Sequence, residues 1–495
     1  MPGSRTGPRI VIAAFDGLQP SQVTSRRMPV VSALATGGVR FLHNHAVFPT
    51  VTRANSATLV TGVTPGKHGL TANKSIFPEY SKTEVVDALV PKLDDINRLT
   101  GGGLLFTPTI GELISHHGLR WVSVVGGTSG NAFVQHPNAG DFDGVVIHPE
   151  FTNPPSHHDE ILSRFGEWPA KEAPAAKLVT RTADVAINYA IDGLNADVLL
   201  IWFPEPDTSQ HAFGIDSPEA QEMYSLADAQ LGRILDAIKG RGGNPDVMIV
   251  SDHGYSTITS VIDVQLELTN AGFGSESDSP APEGVSDADR QGIIVAENGG
   301  SVLLYVPEKN QQLTQRLLKW LSTQAWVGAI AADVVNPGTG GIVALSDIGL
   351  TGERAPDIAV TMRSDQTSQP APHARSGPAT GGKLGAGSHG GGSPAELHNT
   401  LIASGPSFRS GIDSKLASGN IDIAPTVLEL LNLPIPDHFD GRVLWEALAV
   451  QDTVGSREVE VLRQPAPATP SKRSGTEPVI RKVRIGVTEY LCTFG

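Results

Sequence analysis

The chain has 495 residues, 52 acidic against 37 basic side chains and a formal charge of -15, so it lacks the basic surplus that grips nucleic acid polymers or anionic membranes without specificity. Hydrophobic residues make up 39% and charged residues 18%, with 54 Gly and 36 Pro, which excludes a coiled coil or a disordered chain and fits a loop-rich globular fold. The single cysteine, Cys492, excludes a disulfide framework within the chain, and no apolar run approaches the roughly 20 residues that span a bilayer.

In chain order, the first element is "RIVIAAF" from Arg9, an apolar, β-rich run of the kind that forms a strand buried on both faces. The basic start before it lacks the length and cleavage site of a secretory signal, so the expectation is a soluble, cytoplasmic protein with no membrane partner. "FPTVTRANSATLVTG" from Phe48 crowds hydroxyls into a strand-like run that spills into a helix. "WVSVVGG" from Trp121, "ADVLLIWF" from Ala196 and "DVMIVS" from Asp246 repeat the buried-strand pattern. Between the last two, Ser217 to Gly240 reads as a helix with a Ser-Pro start and a Gly stop. Strands alternating with helices predict an α/β fold, a largely parallel central sheet with helices on both faces.

From 262 to 364 the pattern changes to "GGSVLLYV", "QQLTQRLLKWLSTQAW" and "GIVALSDIG", read as an inserted small α+β subdomain. Gly, Ser and Pro between 364 and 393 predict a loop. "TLIASG" from Thr400 is a further strand, and "NIDIAPTVLELLNL" resumes the main domain. The expected organisation is a catalytic core in two parts, 1–261 and 365–450, around the insertion 262–364. Positions 451–495 follow as a flexible linker and a strand-like tail.

Three strands end in acidic residues: Asp16, then Glu205 and Asp207, then Asp252. In a parallel sheet the carboxyl ends line the ligand crevice, so these carboxylates converge, and bare they would repel one another; such a cluster implies bound cations. His211 stands one helical turn after Asp207, His253 follows Asp252, and His389 sits in "GAGSHGGG". Mixed imidazole and carboxylate donors suit zinc, with manganese or iron as alternatives. Singly, each has a plain structural reading as a turn, a cap, a solvated helix face or a loop residue. Jointly, at strand ends of one domain, they favour a metal site. Thr52 stands at a helix start, where unpaired N–H groups favour an anion. Alone it reads as an N-cap; beside the cluster it reads as a metal-activated nucleophile facing a phosphoryl group.

As a set, "FDG", "PTVTRAN", "EPDTSQH", "SDHG" and "GSHGG", in that order and extended by "TLVTGVTPGKHGL", resemble the alkaline phosphatase superfamily. Within it the resemblance is to the type I phosphodiesterase and nucleotide pyrophosphatase family. It implies an alkaline phosphatase-like fold and a hydrolase of phosphodiester or phosphoanhydride bonds with two divalent metal ions, zinc first. By position, Asp207, His211 and His389 would hold one zinc, and Asp16, Asp252, His253 and the Thr52 oxygen the other. Thr52 would form a covalent phosphothreonine, released by water activated at the first zinc.

The resemblance also assigns Asn55 as donor to a nonbridging phosphoryl oxygen and matches Asn73 to a second recurrent Asn. Arg53 stands where nucleotide pyrophosphatases usually carry an aromatic. It either meets extra negative charge on the substrate or points to solvent. The Lys-x-Arg pair of related threonine-dependent phosphatases is missing from "GGTSGNAF", which favours diesters or monoanionic phosphonate esters. The expected partner is a small anionic phosphate or phosphonate ester, with oligomeric state open. A phosphonoacetate or phosphonate hydrolase, a phosphomonoesterase and a metal-stabilised binding protein without turnover remain as alternatives. His157, His158 and Lys383 read as surface residues before leaving-group contacts.

Overall fold

The computed structural model describes residues 7–273, 292–333, 342–366, 375–449, 459–465 and 479–495. Among the described residues the main sheet has ten strands. At its centre Asp246–Val250, Ile10–Phe15, Val198–Phe203, Trp121–Val125 and Val145–His148 run parallel, side by side. Their apolar runs are unbroken because both faces are covered. Val11, Ala13 and Phe15 pack with the helices Pro29–Gly37, Ala176–Val185 and Pro218–Gly240. The alternate residues Ile10, Ile12 and Ala14 face Thr52–Thr61, Ile110–Ser115 and Ile423–Leu430. The long helix starts as its sequence predicts, with the Ser217 side chain accepting from the Ala220 N–H and Pro218 in the first turn.

Leu401–Ser404 enters the sheet antiparallel, between Asp246–Val250 and Val39–His45. A parallel return needs a crossover of a dozen residues or more, and the helix just before it, Pro394–Leu397, is a single turn. Val39–His45 and Ile412–Gly419 extend the sheet beyond it; their buried positions are interspersed with exposed ones, so neither shows an unbroken apolar run.

Within the expected insertion a second sheet has the order Ile294–Glu297, Ser301–Tyr305, Ile358–Met362, Val327–Ala332, Ile342–Val343. One face buries Val264 and Leu268 of one helix and Leu317, Leu318 and Leu321 of another. The other face shares a cluster with Phe48, Val51 and Ala54, so it braces the segment that carries Thr52. Ser256–Val261 joins a third sheet with Asp365–Gln366, Arg375–Ala379 and Gly387–Ser388. The stretch expected to be loop therefore contains three short strands; its positions 367–374 lie outside the described residues.

The end of the chain also departs from expectation. Val459–Pro465, Val479–Ile485 and Thr488–Phe494 form an antiparallel three-stranded sheet, so part of the expected linker is strand. The remainder of that linker, 451–458 and 466–478, lies outside the described residues. Burial alternates strictly along Thr488–Phe494, and Ile480 and Phe494 complete the cluster around Phe48. Among the described residues no helix is long and apolar enough to cross a membrane.

Candidate metal centre

Asp16 follows strand Ile10–Phe15, Asp207 opens a helix just beyond Val198–Phe203, and Asp252 and His253 follow Asp246–Val250. Because these strands are sheet neighbours in parallel, their acidic ends meet. Two groups result, Asp16 with Asp252 and His253, and Asp207 with His211 and His389, each with its ligand atoms within 4.8 Å of one another.

In the first group Trp202 Nε1 donates to Asp16 Oδ2 (3.0 Å) and the Gly17 N–H to Asp252 Oδ1 (3.0 Å). Asp16 Oδ1 and Asp252 Oδ2 are left buried without a hydrogen bond. They lie 3.6 and 3.1 Å from His253 Nε2. All three histidines place Nδ1 on a backbone carbonyl: His253 on Gly254 (3.1 Å), His211 on Gly387 (3.1 Å) and His389 on Thr50 (2.8 Å). That arrangement puts the proton on Nδ1 and leaves the Nε2 lone pair for a cation. His211 Nε2 and His389 Nε2 stand 3.0 Å apart, each near Asp207 Oδ1 at 3.4 and 3.6 Å.

Burial, then the charges of Asp252 and Asp207, push the Asp16 carboxyl well above the usual range. Burial, then His253 and His211, holds His389 well below that of a free imidazole. Burial works against ionised Asp252, but the neighbouring His253 outweighs it and keeps that carboxyl low. A divalent cation relieves these conflicts at once, so the donor set fits the metal ions expected of it.

Glu205 does not join the cluster. Its carboxylate accepts from the Ala175 N–H (2.7 Å), the Ser209 N–H (3.0 Å) and the Ser209 hydroxyl (2.9 Å). Burial pushes it up to about 7.

The helix Thr52–Thr61 has Val51 at its N-cap and Thr52 as its first residue. The Thr52 hydroxyl therefore caps nothing and meets His253 Nε2 at 3.2 Å. Thr50 has a separate duty: its hydroxyl donates to the Gly391 carbonyl (2.7 Å) and accepts from the Gly390 N–H (2.9 Å), pinning the His389 loop. Sequence reasoning missed Thr50, whose partners Gly391 and Gly390 lie 341 and 340 residues along the chain.

Asn55 corrects an expectation. It is fully buried, and its Nδ2 faces the carbonyls of Val47 (3.2 Å), Pro49 (3.2 Å) and Val51 (3.1 Å). Its Oδ1 accepts from the Val47 N–H (2.8 Å) and Asn420 Nδ2 (3.0 Å). The amide is spent on holding the segment before Thr52 and cannot donate to a phosphoryl oxygen. Asn420, also missed from sequence, links Asn55 to the Asp252 carbonyl at 2.9 Å. Asn73 is partly exposed, with Oδ1 accepting from the Arg53 N–H at 3.0 Å.

Arg53 is 7% exposed, which removes the solvent-facing reading. Its Nη1 reaches Asp87 Oδ1 (2.5 Å) and the Asn73 carbonyl (3.1 Å), while Nε is buried without a partner. Of the surface candidates, His157 Nδ1 meets the Tyr189 hydroxyl (2.7 Å), His158 opens the helix His158–Phe165 and Lys383 is exposed.

The family described as type I phosphodiesterase / nucleotide pyrophosphatase matches residues 10–365, a stretch that includes Asp16, Thr52, Asp207, His211, Asp252 and His253 and stops short of His389. The chain is 24% identical over 253 residues to ectonucleotide pyrophosphatase/phosphodiesterase family member 7 of Homo sapiens, covering 50% of this chain and 48% of the relative. It is 24% identical over 258 residues to an uncharacterized pyrophosphatase/phosphodiesterase of Schizosaccharomyces pombe, covering 50% and 44%. A venom phosphodiesterase of Macrovipera lebetinus is 22% identical over 262 residues, covering 50% and 26%. The matched stretch spans about half or less of the length of these relatives. With the family pattern running through most of the chain, through the whole of the first group and through Asp207 and His211 of the second, the chain belongs to the type I phosphodiesterase / nucleotide pyrophosphatase family.

Proposed function

We propose that the chain is a metal-dependent hydrolase of phosphodiester or phosphoanhydride bonds that works through a covalent phosphothreonine at Thr52. The observation that carries this reading is the approach of Thr52 Oγ1 to His253 Nε2, 3.2 Å, beside the unbonded oxygens of Asp16 and Asp252. A hydroxyl with no capping duty at a helix start, set among cation ligands, is an activated nucleophile. Asp16, Asp252, His253 and Thr52 would hold one divalent cation and Asp207, His211 and His389 a second, with zinc favoured by the donors. Bound there, the pair supplies positive charge at the attacking and leaving oxygens of an in-line displacement.

The residues of the chain do the rest. Thr52 Oγ1 gives its proton to solvent and bonds to phosphorus while the bond to the leaving-group oxygen breaks, and that oxygen takes the electron pair and then a proton from solvent. Water then adds to phosphorus, the Thr52 oxygen departs and is reprotonated, and one ester or anhydride bond has consumed one water. Asn73, its carbonyl oxygen fixed by the Arg53 N–H, takes the phosphoryl-donor role that Asn55 cannot fill. The Arg53 guanidinium is engaged by Asp87 and does not supply a spare cation for the second charge of a monoester. This favours monoanionic diesters.

A monoester or phosphonate reading rests on one observation, the unpartnered Arg53 Nε. Zinc-loaded protein and Thr52→Ala assayed on bis-p-nitrophenyl phosphate, p-nitrophenyl phosphate and a phenylphosphonate ester decide between them. Preference for the diester, abolished in the variant, is the expected outcome. A dominant monoester activity would hand the substrate assignment to Arg53.

A further inference from the structure

We infer that Tyr255 is a positioning residue for the Asp207 group: its hydroxyl fixes the carboxylate oxygen that faces His211 and His389 and thereby sets how tightly that group holds a cation. The inference rests on the two-cation reading above. Tyr255 is 1% exposed, and its ring lies among all three ligand histidines. The centroids are 5.3 Å from His211, 5.3 Å from His389 and 5.6 Å from His253. Its hydroxyl donates to Asp207 Oδ1 and lies 3.2 Å from the Asp207 carbonyl. Oδ1 is the oxygen nearest both histidine Nε2 atoms.

The ring has a seat made for it. A Cβ on Gly17, which adopts φ +69°, would come within 2.5 Å of the ring, and one on Gly387 within 2.7 Å. Gly17 directly follows the ligand Asp16, and Gly387 supplies the carbonyl that receives His211 Nδ1. Side chains at either position would expel the tyrosine from under the site. The two groups differ in how their carboxylates are held. Trp202 and the Gly17 N–H bind the outer oxygens of Asp16 and Asp252 and leave the inner ones free. Tyr255 bonds the oxygen that faces the cation position, the one His211 and His389 also approach, so the geometry of Asp207 depends on it directly. Outer donors of this kind are worth roughly 10- to 100-fold in metal affinity.

The test titrates metal-free parent and Tyr255→Phe with Zn2+ against a chromogenic chelator and repeats it with Co2+, read by visible absorption. Asp207→Ala identifies the equivalent that belongs to the Asp207 group, and thermal melts of the metal-free proteins show that the variant is folded. The parent binds two equivalents. In Tyr255→Phe the Asp207-group equivalent weakens by roughly 10- to 100-fold and its Co2+ bands change, while the other equivalent is unmoved. Unchanged or tighter binding of that equivalent in the variant overturns the inference alone. A parent that binds fewer than two equivalents overturns the two-cation reading and this inference with it.

Discussion

The two ligand groups carry similar donors at similar spacing, but they are built from different parts of the molecule. Asp16, Asp252 and His253 leave adjacent parallel strands and their side chains are almost wholly buried. Trp202, the Gly17 N–H and Asn420 lock them in place. In the other group only Asp207 stands at the end of a core strand. His211 rides a seven-residue helix with its side chain 43% exposed, and His389 rides a glycine-rich loop pinned by Thr50. The first group is an extension of the hydrophobic core and forms when the sheet forms. The second depends on loop closure and is the more exposed of the two, so on the two-cation proposal its cation should exchange with solvent sooner.

The largest expected effect tests the role proposed for Thr52 beside the buried group. Thr52 touches His253 of the buried group, so Thr52→Ala should lower kcat on a diester by roughly 10³-fold or more while both cation equivalents remain. A variant that keeps a tenth of parental turnover would remove Thr52 from the chemistry.

Phe494→Ala separates the groups mechanically. Phe494 is fully buried, packs edge-on against Phe48 at 5.1 Å and donates its N–H to the Gly392 carbonyl at 2.8 Å, three residues beyond His389. Urea unfolding should show a loss of about 3–5 kcal/mol, and chelator titration should show weaker binding at the His389 group alone. Equal weakening at both groups would mean that the C-terminal strands brace the whole centre.

Asp422 probes the support beneath the buried group, two residues from Asn420. It accepts from the Gly419 N–H, the Arg442 N–H and the Tyr490 hydroxyl, each at 2.9 Å. Burial outweighs the Arg442 charge and these bonds and pushes its carboxyl from 3.8 up to about 6. Because the folded value is raised, the stabilising contribution is whole below the unfolded value and is lost as pH rises through the folded one. The swing is about 3 kcal/mol. Asp422→Asn should flatten that slope in melting temperatures taken between about pH 4 and pH 7; an unaltered slope would assign it to another group.

The smallest effect concerns exchange. Zinc-loaded protein mixed with excess chelator should release its metal in two phases, the Asp207-group ion leaving about tenfold sooner, equivalent to about 1.4 kcal/mol in barrier. Release in a single phase would erase the distinction between the groups.

Much of the site was legible along the chain because its parts are local. A buried strand must be apolar, so an acidic residue directly after one, as at Asp16 and Asp252, marks the sheet edge where ligands gather. A spacing of four places Asp207 and His211 on one side of a helix. Glu205 satisfies the same local rule and fails, because the N–H groups of Ala175 and Ser209 claim it. That claim involves a partner 30 residues away, which no local pattern reports.

The amino-acid order by itself therefore determined the strand-end carboxylates, the pair Asp207 and His211 on one helical turn, the helix start at Thr52 and the α/β alternation, since each depends on neighbours within a few residues. Tertiary structure alone decided that Asn55 serves the backbone and Asn73 accepts from the Arg53 N–H, that Arg53 pairs with Asp87, that Leu401–Ser404 runs antiparallel, that Tyr255 reaches Asp207 and that Phe494 packs on Phe48. Those outcomes depend on which distant groups compete for the same donor, acceptor or cavity. Hydrogen bonds and close packing settle that competition only once the sheets have brought the segments together.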